Sequence, residues 1–201
     1  MTTDTLEHPA ESRAKALKAL THETHDKLDK AIMAGRPFES RERYGLFLKV
    51  QYLFHRDIDA LYSNPVLGDM LPDLEGRRRF AQVAQDLADL GITPPEAAQA
   101  PAFGGGDVDI PTAMGWFYVA EGSNMGAAFL LKAAAGLGLS ETFGAHHLAG
   151  APEGRGLHWR TFTAALDKVD LDEAGEARVA AGAEAAFRRV HDLVTEMFAN
   201  A

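Results

Sequence analysis

The chain has 201 residues, enough for one domain with a sizeable core, and the ordinary apolar and charged fractions of a globular protein. It contains no cysteine, which excludes disulfides, thiolate-bound metals and a cysteine nucleophile. A formal net charge of -9 argues against a nucleic-acid binder, and neither terminus carries an apolar segment long enough for a membrane anchor, so a cytoplasmic monomer is expected.

Residues 1–9 are polar and read as a flexible tail; residues 10–201 read as a single domain. Helical signals run over 10–33 and stop at Gly35 and Pro37. Leu17, Thr21, Leu28 and Ile32 form one stripe of that helix with His25 on its edge, and Lys18 lies two turns, about 10 Å, from His25 along the same face. Ser40 is a good N-cap for a second, strongly apolar helix over 40–63, on which Gln51 and His55 sit one turn apart. A turn-rich stretch leads to a third helix over 75–90, and a loop over 92–111 is long enough that it must be mobile or lie over something.

Next comes GWFYVAEGSNMGAAFLLK, residues 115–132, too apolar on every side for a surface helix and too short for a membrane span. It is expected to be buried and to end at Gly136 and Gly138. Each of Gly122 and Gly126 costs about 1 kcal/mol relative to alanine inside a helix. Two explanations fit: a notch for another helix, or a flat ligand lying against bare backbone. An irregular stretch follows, then an amphipathic helix over 158–169 and a last helix to about 198, capped by Asp170 with Glu173. No alternating strand pattern occurs, so the expected fold is all-α.

The histidines taken alone point to little. His22 and His25 are spaced i,i+3 and lack the i,i+4 pair of a zinc protease helix, and no Glu-x-x-His pair recurs as a di-iron bundle requires. His146 and His147 read as loop residues. Arg77, Arg78 and Arg79 read as a solvated helix face that, with Lys49, is a candidate footprint for an acidic partner.

Four segments together, LTHETHDKLD, VQYLFH, GWFYVAEGSNMGAAFLLK and HHLAGAPEGRGLHWRTF, resemble the bacterial haem oxygenases in order and spacing over residues 17–162. The resemblance implies a single-domain helical bundle of the haem oxygenase type, with haem b sandwiched between a proximal and a distal helix. It implies cleavage of haem to biliverdin with release of carbon monoxide and ferrous iron, using oxygen and electrons from an external ferredoxin or flavin reductase. A haem carrier or sensor that does not degrade its ligand is the alternative. The family's proximal iron ligand falls on His25. Its propionate-holding groups fall on Lys18 and Tyr118, with Lys132 a further candidate, and Lys18 with Tyr118 implies cleavage at the α position. Gly122 and Gly126 fall opposite the iron, and the water-holding network matches Ser123, Asn124, Gln51, His55 and His147. Arg79, Arg155 and Trp159 fall on family positions as structural or electrostatic support, and Met125 stands where leucine is commoner, a nearly isosteric departure. A histidine ligand pushes less electron density onto iron than a thiolate, which suits oxidation of the porphyrin itself.

Overall fold

A computed structural model describes residues 12–199, so the predicted tail over 1–9 lies outside the described residues. Seven α-helices account for most of them: α1 Arg13–Ala34, α2 Arg41–Ile58, α3 Pro65–Met70, α4 Phe80–Asp89, α5 Ile110–Ala135, α6 Arg155–Lys168 and α7 Glu173–Phe198. No strand occurs among the described residues, only two isolated bridges around Ser140, so the all-α expectation holds.

The helix starts are set by short polar side chains that accept an otherwise unpaired backbone N–H. Ser40 accepts from Arg43, Asn64 from Leu67, Asp109 from Thr112 and Asp172 from Gly175. Asp172, not Asp170, therefore caps α7, because Leu171 turns inward against the main core and delays the helix. The predicted second helix passes into a 3-10 turn at Asp59–Ser63, and the turn-rich stretch after it holds the short α3, opened by Pro65. The predicted third helix begins as a separate 3-10 turn, Glu75–Arg77, before α4.

The scaffold is organised on the crossing of α5 and α7. A Cβ built on Gly115 would stand 2.1 Å from the Val179 carbonyl oxygen, and one on Gly182 would stand 2.4 Å from that of Thr112. The two backbones touch, which only glycine at both positions permits. Around this crossing lie Met114, Phe117, Val179, Ala183 and Ala186, all buried. A second core joins α2 to the far end of α5 through Tyr44, Phe47, Leu48, Leu87 and Ala134. There the Tyr44 hydroxyl donates to the Gly144 carbonyl at 2.9 Å, and Arg41 donates to the Leu137 carbonyl beyond the end of α5. The loop before α5 lies over the bundle: Phe103 donates its N–H to Asp57 and sets its ring edge-on to Trp116.

Candidate functional site

A cavity of about 660 Å³ opens between α1 and α5, within the roughly 300–1,000 Å³ usual for small-molecule sites. The α1 wall holds Thr21, Leu28 and Ile32 of the stripe read from periodicity, with Lys18 and His25 beside them, while Leu17 of that stripe lies in the main core. The α5 wall is Tyr118, Gly122, Ser123, Asn124 and Gly126. Gln51 and His55 enter from α2, His147 from a 3-10 turn at His146–Leu148, Trp159 from α6, and Phe187 with Val190 from α7.

The glycines resolve the two explanations offered for them. A Cβ on Gly126 would meet nothing within 4 Å, and one on Gly122 would make only ordinary contact with the Trp159 ring. Among the described residues no helix backbone comes close to this notch; the glycines leave bare backbone facing the cavity, while the close backbone contact between helices is made two to three turns earlier at Gly115. Met125, Phe129 and Met33, apolar and exposed, rim the opening. A flat, largely apolar ligand suits such walls.

Opposite that backbone, His25 is fixed from two sides. Its Nδ1 lies 3.3 Å from the Asp29 carboxylate one turn on, and its ring stands edge-on to Phe187 with centroids 5.7 Å apart. A carboxylate beside one ring nitrogen is the kind of arrangement that orients a metal-binding imidazole. Tyr118, buried between Trp159 and Thr21, has its phenol pushed up by burial, partly offset by the Thr21 hydroxyl, and so remains a hydrogen-bond donor. Lys18 is exposed on the α1 wall. Lys132 is exposed on α5, two residues beyond Leu130, the last residue of that helix to line the cavity.

The polar end of the cavity holds two buried histidines. His55 has an unpartnered Nδ1, and burial, then the neighbouring His147 and Arg79, lower its pKa to about 3; it is uncharged near neutrality. His147 sets Nδ1 2.6 Å from the Asp86 carboxylate and leaves a buried, unpartnered Nε2. Ser123 donates to the Ala120 carbonyl at 2.7 Å, and Asn124 is buried with its carbonyl accepting from Arg155. Arg155 also donates to the Leu148 carbonyl, tying the His147 turn to α5.

The arginine run is not a solvated face. Arg77 is 2 % exposed and donates to Glu121 at 2.7 Å, to the Pro72 carbonyl at 2.9 Å and to the His158 carbonyl at 3.3 Å. Arg78 grips Asp59 with two donors, and Arg79 is buried near His55. The predicted footprint at these residues is therefore corrected for Arg77 and Arg79: Arg77 is consumed inside the bundle by Glu121 and by the Pro72 and His158 carbonyls, while Arg79 is buried with a hydrogen bond to Gln82 on its own element. Sequence reading also passed over Asp29, Asp86, Glu121 and Phe187. Asp86 and Glu121 left a local signal, the one an acid on the Val83 and Leu87 stripe of α4 and the other an acid inside the apolar α5, where only a partnered carboxylate is tolerated.

A sequence profile of the family described as heme oxygenase matches residues 11–196. The chain is 42 % identical over 187 residues to heme oxygenase PigA of Pseudomonas aeruginosa, covering 93 % of each. Its backbone is similar to a crystal structure of the NO- and CO-bound heme oxygenase of Neisseria meningitidis, with a TM-score of 0.88, 41 % identity, and 96 % and 94 % of the two chains covered. The heme oxygenase of Leptospira interrogans, at 20 % identity and a TM-score of 0.72 over 92 % and 100 % of the chains, shares the fold.

Proposed function

Because the chain belongs to the haem oxygenase family and is a haem-degrading oxidoreductase, we propose that it cleaves haem b at the α position to biliverdin, releasing carbon monoxide and ferrous iron. Haem, when bound, supplies both the iron that takes up oxygen and the macrocycle that is oxidised. One observation carries the reading: an oriented imidazole, His25, on one wall of a cavity whose other wall is main chain at Gly122 and Gly126.

In this reading His25 would hold the iron, with Asp29 and Phe187 beside its ring. Lys18 and Tyr118 take the two propionates, one by charge and one by a phenolic hydrogen bond, and so fix the rotation of the disc in its slot. Gly122 and Gly126 leave room for a diatomic molecule above the metal. Ser123, Asn124, Gln51, His55 and His147 hold water near that space, and an uncharged His55 keeps the holders weakly acidic. Electrons come from an external ferredoxin or flavin reductase. The setting proposed is the cytoplasm, with the chain a monomer; no described helix is long and apolar enough to cross a membrane.

The test is incubation of the purified chain with haem b, oxygen, an electron donor and catalase. A green product with the biliverdin spectrum, resolved as the α isomer by chromatography, is expected. A complex that becomes ferrous and stays intact marks a carrier and sinks the reading. His25→Ala should abolish turnover and alter the spin state of the bound iron.

A further inference from the structure

We propose that Asp86 is a positioning residue for His147: its carboxylate pins the proton of that imidazole on Nδ1, so that Nε2 is the nitrogen that exchanges protons with water in the cavity. The inference rests on the reading that places His147 in the water-holding network.

Asp86 is fully buried, on α4, outside the cavity lining. Both of its oxygens are engaged by the 3-10 turn. Oδ1 accepts from the His146 backbone N–H at 2.6 Å and lies 2.7 Å from the His146 Nδ1. Oδ2 accepts from the His147 backbone N–H at 3.1 Å and lies 2.6 Å from the His147 Nδ1. Burial opposes the charge, yet the hydrogen bonds from His147 and His146 outweigh it and hold the Asp86 pKa below its usual value. An ionised carboxylate only accepts, so each Nδ1 facing it must carry hydrogen. At His147 the remaining nitrogen is buried, without a protein partner, in a side chain on the cavity wall. The other charged or titratable groups nearby are His55 and Arg79, which share its electrostatic surroundings, Tyr44, whose hydroxyl feels the Asp86 charge but donates to the Gly144 carbonyl, and Asp89, which reaches His146 and the Gly144 N–H instead. None of them competes for the His147 Nδ1. A carboxylate behind an imidazole selects the tautomer in the same way in hydrolytic triads.

The decisive measurement needs no variant. In the full, haem-free chain with ¹⁵N-labelled histidine, two-bond correlation spectra should show His147, identified by its loss in His147→Gln, with hydrogen on Nδ1. Hydrogen on Nε2 with a bare Nδ1 would overturn the proposal. Asp86→Leu should release the tautomer preference and, with haem b and reductant, slow turnover on the order of 10²-fold, the low end for a positioned acid–base group. His147→Gln should slow it similarly, and the double variant should be no slower than the slower single, since both changes remove one function. Multiplying losses would show that Asp86 acts elsewhere and defeat the assignment. Native turnover in His147→Gln would instead defeat the network reading, and this role with it; a slow His147→Gln beside an unaffected Asp86→Leu would defeat this role alone. Should Asp86→Leu not fold, the spectrum of the native chain still decides.

Discussion

At Gly126, stability and turnover are expected to move in opposite directions. Alanine there meets no neighbour and removes the conformational freedom of glycine, so Gly126→Ala should raise the stability of the haem-free chain by up to about 1 kcal/mol, read from urea midpoints. Gly126→Leu should still bind ferric haem but lose most turnover, because its side chain occupies the space left for oxygen; normal turnover would refute the role given to bare backbone. His55 sets a second expectation at this scale. Its folded pKa, about 3, lies below the usual imidazole value of about 6.5, so as pH falls the unfolded chain takes up a proton that the folded chain refuses. The stability it contributes is complete above about pH 6.5 and is lost towards pH 3, at roughly 1.4 kcal/mol per unit. Titrating urea midpoints from about pH 7 to 4 should show that slope, and His55→Gln should flatten it. His158 has the opposite sign. The Glu121 carboxylate, 3.3 Å from Nε2, and then the hydrogen bond that Nδ1 donates to Glu153 outweigh burial and raise its pKa, so its contribution is present on the acid side and fades as pH rises through the raised value.

Between elements, the glycines of α5 divide into two kinds that sequence alone does not separate. Gly115 lies against the α7 backbone, and Gly115→Ala should cost about 3 kcal/mol, the upper end of overpacking penalties, because main chain cannot move aside as a side chain can. Gly122 and Gly126, about two and three turns later on the same helix, face the Trp159 ring at ordinary contact distance and open space respectively. Both classes are glycines in an apolar helix, and what distinguishes them is the partner that arrives from residues 179–183, which no local pattern announces. The same holds for Arg77. Its run of three basic residues reads as a wet surface, but Glu121, 44 positions away, draws it inside. Arg77→Met should therefore cost about 3 kcal/mol by chemical denaturation, the low end for breaking a buried pair, since His158 remains 3.3 Å from the stranded carboxylate. Adding Glu121→Leu should recover most of that loss.

Across the whole molecule, what was legible in the sequence was whatever depends on local period and on polar caps. The α1 stripe, the all-α class, the apolar α5 with its end at Gly136, and the Ser40 cap follow from spacing and side-chain chemistry within one helix. Resemblance to known relatives named the cavity residues, and the structure gathers all of them except Lys132 around one space. Hidden were the groups behind those residues. Asp29 behind His25, Asp86 behind His147 and Phe187 from the last helix act through tertiary approach: Asp29 could equally have been a solvated acid and Phe187 a core ring, and the stripe position of Asp86 called for a partner without naming it. Of the footprint proposed for an acidic electron carrier, Arg77 and Arg79 lie inside the bundle, which leaves Lys49 and Arg78, the latter already paired with Asp59. Charge reversal at Lys49 should slow reductase-driven turnover and leave haem affinity unchanged, as steady-state rates and titration would report.

A wall already stripped to its main chain can only be built up. Every substitution at Gly122 or Gly126 subtracts volume, so adaptation from that side runs one way, towards smaller or more restricted guests. Enlarging the slot for a bulkier macrocycle has to begin across the gap, at Leu28, Ile32 or Met33, where there are side chains left to trim.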